Sequence, residues 1–317
     1  MNNGTLNSIH SPFRFAGGKY YARKLILTHI PEHSVYIEPF AGGGSIFFAK
    51  SKVEKNWLND KDADLVNVYE HIRDSVEGIV ELLKGHRASK LKHGYFKNEF
   101  EPKNDLERAF RWYYLNRTSY SGIMNHPNCY WGYGKKFSMG PLRWPPHLRN
   151  CSTKLQNVRL SNWDFEAVLN NAPDGAFLFV DPPYFNADQD KFYPVSFSKD
   201  DHIRLAKALK KHSKRVKFLL TYDNTPEIRE LYYWAHEVLD KEWNYTIFRT
   251  DDQSKNGNGK NGRHKNGKGK RYKGQELFIL NYEVPAFPVL EQLALPLNGS
   301  KASNGGHQRA RRKEYAE

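Results

Sequence analysis

Asp181-Pro182-Pro183-Tyr184 puts a carboxylate, a proline carbonyl and an aromatic ring within four residues. The acid and the carbonyl can accept both hydrogens of an exocyclic amine, and the ring can stack on the base that carries it. An ordinary Pro-Pro turn with a solvated aspartate is the plainer alternative. The preceding run Ala176-Phe177-Leu178-Phe179-Val180 reads as a strand buried on both faces. Two prolines then stop the ladder, because neither has an N–H to donate. The group therefore falls at the carboxyl end of a central strand, where open α/β sheets bind their ligands.

A second apolar strand, starting at Val35-Tyr36-Ile37, runs through Glu38-Pro39-Phe40-Ala41 into Gly42-Gly43-Gly44-Ser45. Three glycines permit backbone conformations and a close ligand approach that a Cβ would block. Ser45 is expected to cap a helix beginning Ile46-Phe47-Phe48-Ala49. The spacing does not fit the G-x-G-x-x-G fingerprint of pyrophosphate-binding dinucleotide folds, which suits a cofactor without a pyrophosphate. A third strand, Trp57-Leu58-Asn59-Asp60, also ends in an acid. Asp60 can accept hydrogen bonds from ribose hydroxyls, or it can cap a helix over Ala63 to His71.

The elements that must hold these residues need a sizeable domain, and 317 residues with 39% hydrophobic and 14% aromatic content can build one α/β domain with a smaller insertion. The net charge of +14, from 49 Lys+Arg against 35 Asp+Glu, points to a polyanionic partner, nucleic acid foremost; spread solubility charge is the alternative. Two cysteines, Cys129 and Cys151, argue against a secreted disulfide framework. No window has the length of a membrane span, and the first residues lack a signal pattern, so a cytoplasmic protein is expected.

An amphipathic helix through Leu25, Ile26 and Ile30 precedes the first strand, and a long helix is expected from Asp62 to about Leu83. From Gly85 to Asn150 the rhythm changes to aromatic, basic and turn residues. It resumes with a strand at Val158 to Leu160, a helix through Val168-Leu169, a helix near Asp200 to His212, a strand at Val216 to Thr221 and a helix after Pro226. Strands around Tyr245 to Arg249 and at Glu276 to Tyr282 close the domain, and His202 and His212 are expected to be exposed helix residues. Residues 254–273 carry eight Lys/Arg and no acid among Gly and Asn, and with the polar tail they read as disordered in isolation. The basic loop could neutralise phosphates near DNA or be a tolerated surface insertion.

With Phe15-Ala16-Gly17-Gly18-Lys19, Glu38-Pro39-Phe40, Leu115-Asn116-Arg117 with Tyr120, and Asp181-Pro182-Pro183-Tyr184 in this order, the chain resembles the Dam-like (D12) class of DNA adenine N6-methyltransferases over residues 12–284. The resemblance implies a Rossmann-like S-adenosyl-methionine-dependent methyltransferase sheet of α/β class, with an inserted, mainly helical target-recognition domain. The implied divisions are a flexible 1–11, a discontinuous catalytic domain of 12–84 and 151–284, an insert of 85–150 and a tail of 285–317. It implies cofactor contacts from Phe15, Ala16, Gly17, Lys19, Glu38, Phe40, Gly42, Gly44, Ser45 and Asp181, a ribose contact from Asp60, and Asp164 and Phe165 beside the cofactor adenine. Arg117, Tyr120, Ser121, Asn125, Lys135 and Lys136 are the implied DNA contacts. Ser121 stands where GATC-specific members often carry Asn, and Asn125 stands near the place of a guanine-reading Arg, so the target sequence stays open.

The expected chemistry is methyl transfer to a flipped adenine. Its amine is a poor nucleophile because the lone pair is delocalised into the ring. Accepting both hydrogens, at Asp181 and the Pro182 carbonyl, directs that lone pair at the methyl sulfonium while Tyr184 stacks on the ring. The amine cannot be reached inside a duplex, so the base must leave the stack. Tyr120, beside Ser and Gly in a turn, suits a wedge into the duplex, whereas Trp112, Tyr113 and Leu115 suit the core of a helical insert. Transfer to cytosine N4 or RNA adenine, and a noncatalytic DNA-binding relative, are the alternatives. No metal is expected. Double-stranded DNA is the expected partner and a monomer the expected state; whether the chain pairs with a restriction endonuclease, serves a phage or acts alone stays open.

Overall fold

A computed structural model describes residues 9–15, 17–136, 138–187, 194–244 and 273–284. Ala16, the expected strand at Tyr245–Arg249, nearly all of the basic 254–273 loop and the 285–317 tail lie outside the described residues. Short apolar runs form five parallel strands: β1 Val35–Glu38, β2 Lys55–Asn59, β3 Val158–Ser161, β4 Phe177–Val180 and β5 Lys217–Asp223. Two further strands, β6 Glu237–Asn244 and β7 Lys273–Leu280, complete a seven-stranded sheet in the order β3-β2-β1-β4-β5-β7-β6. Strand β7 runs antiparallel to both β5 and β6. The chain order reverses between β1 and β4, and a crevice forms outside the carboxyl ends of strands at such a switch point.

Alternation along each strand sorts its side chains onto two faces. Tyr36, Leu58, Phe177, Phe179, Leu219, Phe278 and Leu280 enter one core. Ile37, Trp57, Leu178, Val180, Phe218, Leu220 and Ile279 enter the other. Helices α1 Arg23–Leu27, α2 Ser45–Ala49, α3 Ala63–Asp74 and α4 Val76–Leu83 cover the first face. Helices α5 Lys90–Asn98, α6 Asp105–Thr118 and α7 Trp144–Leu155 extend the same core through Phe96, Tyr113, Tyr114 and Trp144, with α6 and α7 packed on α3 and α4. The second face is covered by α8 Phe165–Asn171, α9 Lys199–His212 and α10 Pro226–Leu231. Trp112, Tyr113 and Leu115 are core residues, as their helical pattern implies.

Local chemistry explains the differences from the expected elements. The helix expected over Asp62 to Leu83 breaks at Ser75, whose φ of −146° and ψ of 44° leave the helical region, so α3 and α4 are separate. Its start is Asp62, whose carboxylate accepts from the Asp64 and Leu65 amides, and not Asp60. Ser45 does not cap α2. Gly44 stands at that position with φ 62°, a left-handed conformation natural to glycine, and makes no side-chain cap. His202 and His212 are buried in α9 against expectation: His202 bonds the Tyr222 hydroxyl between the rings of Phe185 and Phe197, and burial lowers its pKa to about 4. His212 meets Asn170 Oδ1 at 2.9 Å and accepts from Arg215 Nε at 2.9 Å. Among the described residues no helix is long and apolar enough to cross a membrane, and Cys129 and Cys151 are buried thiols.

Candidate active site

Asp181 follows the last residue of β4, at the reversal of strand order. Two donors converge on its Oδ1: Lys19 Nζ at 2.7 Å and Thr221 Oγ1, from β5, at 2.6 Å. Neither of these two bonds involves the other carboxylate oxygen. The Lys19 ammonium, almost wholly buried, also donates to the Gly17 carbonyl at 3.2 Å and stands 4.8 Å from the Tyr184 ring centroid. Tyr184 donates its hydroxyl to Glu276 on β7. Burial pushes the Glu276 carboxyl up to about 8 against the pull of Lys19. The turn after Tyr184 is fastened by Asp223, which ends β5 and accepts the Phe185 and Asn186 amides at 3.0 Å each.

The glycine turn after β1 lies beside this group. Gly42 and Gly44 have φ of 46° and 62°. A Cβ on Gly42 would come within 3.1 Å of the Phe15 ring, and one on Gly44 within 2.9 Å of the Tyr69 hydroxyl. Asp60 holds the turn from β2: its carboxylate accepts from the Gly42 amide at 2.8 Å and the Asp62 amide at 2.9 Å, and burial raises its pKa. Glu38 points inward. Its Oε1 accepts from the Tyr36 hydroxyl at 2.7 Å and the Phe47 amide at 2.8 Å, and burial pushes its pKa up to about 8. It therefore braces the loop from beneath. Asn59 joins the neighbouring loops, donating to the carbonyls of Pro39 and Trp163 and accepting from the Trp163 amide at 2.8 Å.

On the far side of the turn, Phe40 stacks on Phe165 with centroids 5.6 Å apart, and Phe197 closes an aromatic cluster. Asp164 caps α8 through the Glu166 amide at 3.0 Å and is paired with Arg204 at 2.9 Å. Gly17 is exposed with φ 75°, and Ser45 is the first residue of α2. The glycine cradle, the Asp60 carboxylate and the phenylalanine pair fit a nucleoside-bearing cofactor without a pyrophosphate.

The residues expected at DNA separate into two groups. Tyr120 is 50% exposed, in a 3-10 turn where Ser121 has φ 53°, and its amide donates to the Tyr130 carbonyl at 2.8 Å. Ser121 and Asn125 are partly buried in the same region, and Lys135 and Lys136 are exposed in a turn. Arg117 is different: it is only 5% exposed, on α6, and its guanidinium donates to the Pro12 carbonyl at 3.5 Å. That location anchors the N-terminal segment and withholds the charge from a surface phosphate. Asn116 does the same work beside it. It accepts from the Arg14 amide at 2.9 Å and donates to the Arg14 carbonyl at 2.8 Å and the Gly122 carbonyl at 3.3 Å. A Cβ on Gly122 would lie 2.1 Å from the Arg14 carbonyl oxygen, so the crossing requires glycine.

Thr221, Asp223, Glu276, Asn59 and Phe197 were missed by sequence reasoning. The available signal was polarity inside apolar strands: Thr221 interrupts Phe218-Leu219-Leu220, and Glu276 opens Leu277-Phe278-Ile279-Leu280.

A family model described as D12 class N6 adenine-specific DNA methyltransferase matches residues 15–247. A DNA N-6-adenine-methyltransferase of Escherichia phage P1 is 31% identical over 239 residues, 70% of this chain but only 31% of its own length. The type II methyltransferase M.MjaIII of Methanocaldococcus jannaschii is 30% identical over 64% of this chain and 81% of its own. The DNA adenine methylase of Escherichia coli K12 is 26% identical over 69% of this chain and 82% of its own.

Proposed function

The chain belongs to the D12 class of N6 adenine-specific DNA methyltransferases, and on that premise we propose that it methylates N6 of an adenine flipped out of double-stranded DNA, using the Asp181–Tyr184 turn. The observation that carries this reading is the held carboxylate: Lys19 and Thr221 both donate to one oxygen of Asp181. The free oxygen and the Pro182 carbonyl then accept the two amine hydrogens, and the nitrogen lone pair is freed from the ring. Tyr184 supplies the stacking face. Preorganised acceptors of this kind cost no reorganisation as the reaction proceeds.

S-adenosyl-methionine, when bound, supplies the electrophilic methyl sulfonium. The residues that would hold it are Phe15, Gly17, Gly42 and Gly44 around its methionine part, Asp60 at its ribose, and Phe40 and Phe165 beside its adenine. Glu38, Ser45 and Asp164 act on the loops that carry these groups. Ala16 belongs to the same segment by the family's motif.

The insert 85–150, between catalytic segments 12–84 and 151–284, is the target-recognition part of this reading. Tyr120 is its wedge into the base stack, with Ser121, Asn125, Lys135 and Lys136 along the duplex. A monomer suffices, because one strand is methylated at a time. The test is incubation with labelled S-adenosyl-methionine and unmethylated DNA, followed by nucleoside analysis beside an Asp181→Ala control. N6-methyladenine that disappears in the variant supports the reading. N4-methylcytosine, or DNA without label, overturns it.

A further inference from the structure

The side chains of the turn after β4 are gripped from β5 and from its antiparallel neighbour β7. Thr221 on β5 donates to Asp181 Oδ1 at 2.6 Å. Glu276 on β7 accepts the Tyr184 hydroxyl. Asp223 accepts two amides of the same turn and stands directly opposite Glu276 in the β5–β7 ladder. Thr221, Glu276 and Asp223 are all buried, and none belongs to the motifs that carry the family resemblance. Among the described residues Glu276 Oε1 meets no hydrogen-bond partner. A buried acid with one oxygen unsatisfied costs free energy to keep, and such groups in native sites call for a functional reason.

Resting on the reading of the site as an adenine methyltransferase, we propose that Thr221 and Glu276 are positioning residues for the transfer. Thr221 selects which Asp181 oxygen faces the amine, and Glu276 sets the tilt of the Tyr184 ring. Without the Thr221 hydroxyl, Asp181 can rotate about its side-chain bond and present either oxygen to Lys19. Without Glu276, Tyr184 keeps its contact with Lys19 and its packing against Tyr222, 5.9 Å away, but loses the tether at the far end of its ring. Both losses misalign a base that has already bound. They lower kcat and leave cofactor affinity in place.

Glu276 also faces Lys19 from the N-terminal loop, Asp181 from the turn and Asp223 from β5, so its ionisation is felt by the whole group. Burial raises its pKa to about 8. The protonated acid still accepts the Tyr184 hydroxyl on one oxygen, whereas the anion accepts it more strongly and pulls the ring charge with it.

The experiment has two arms. In the first, Thr221→Val, Thr221→Ser, Glu276→Leu and Glu276→Gln are assayed with S-adenosyl-methionine and unmethylated DNA. Thr221→Val is expected to lower kcat by about tenfold or more, the worth of one hydrogen bond to a charged group, and Glu276→Leu by about three- to tenfold, the worth of one between neutral groups. KM for the cofactor should stay within about twofold, and Thr221→Ser and Glu276→Gln should recover most of the rate. Values of kcat within about twofold of the parent for both deletions would overturn the proposal. The second arm uses the protein without DNA or cofactor, labelled at tyrosine Cζ. The Tyr184 resonance, assigned by its loss in Tyr184→Phe, should shift as pH passes about 8 in the parent and stay flat in Glu276→Gln. An identical Tyr184 profile in both proteins refutes the pairing whatever the reaction is. A parent that labels no adenine refutes the reading of the site, and the resonance still decides the tether.

Discussion

Replacing Asn116 with Ala tests whether the Leu115-Asn116-Arg117 segment serves the duplex or the protein itself. Asn116 is completely buried and makes three bonds: it accepts from the Arg14 amide and donates to the carbonyls of Arg14 and Gly122. Alanine leaves the Arg14 amide and both carbonyls without that partner. A buried polar group that loses its partner costs about 1–3 kcal/mol, and the partly buried Arg14 can recover part of this from water. The missing amide group also leaves a small cavity. The sum is about 3–5 kcal/mol, a large fraction of the stability of an ordinary domain. Equilibrium urea unfolding would measure it, with the slope of the transition checked for constancy. Asn116→Asp should cost at least as much at neutral pH, because it retains an acceptor for the Arg14 amide but sets a carboxylate against two carbonyl oxygens. The same variants should bind the cofactor more weakly, since Arg14 leads directly into Phe15 and the Lys19 loop. A loss below about 1 kcal/mol for Asn116→Ala would refute this role as an internal clasp.

Gly44→Ala should destabilise the protein by roughly 2–4 kcal/mol, from the left-handed backbone and a Cβ 2.9 Å from the Tyr69 hydroxyl; thermal unfolding that matches the parent would contradict this. Glu276→Gln should flatten the pH dependence of stability between about 4.5 and 8. The folded acid, with its pKa raised to about 8, holds a proton that the unfolded chain has released, so parent stability falls as pH rises through that window and the variant is spared. Urea midpoints of the two proteins at pH 5 and pH 8 decide it, and parallel shifts would reject the sign. Tyr120→Ala should leave stability within about 0.5 kcal/mol, because the ring is exposed and the local bonds are made by backbone. It should weaken DNA binding by about tenfold or more, as fluorescence anisotropy would register. Undiminished affinity would remove the wedge.

The parts of the fold legible in the sequence were those whose cause is local. Ala176–Val180 and Val35–Ile37 are apolar runs cut off by prolines or glycines, and they became β4 and β1 with nearly the expected bounds. Strand β6 was not recognised, because Glu237-Val238-Leu239-Asp240-Lys241-Glu242 mixes charge with few apolar residues, and its pairing with β7 is what makes it a strand. His202 and His212 looked like solvated helix polars; their burial depends on Tyr222 and Asn170, which lie far along the chain. At the site, Asp181 and the glycine turn stood out because their chemistry and backbone requirements are written in adjacent residues. The side chains that hold them did not, since nothing near Thr221 or Glu276 in sequence mentions Asp181 or Tyr184. Arg117 shows the converse: a cation near a turn resembled a phosphate ligand, while the folded chain uses it to pin Pro12.

The tether between Tyr184 and Glu276 spans 92 residues, and the clasp between Arg14 and Asn116 spans 102. Contacts of such separation pay their loop-closure entropy late and are made slowly. During synthesis the Asp181 turn emerges long before β7 exists to hold its tyrosine. A nascent chain therefore carries the Asp181–Tyr184 turn without its tether to Glu276 and gains that hold only when β7 pairs with β5.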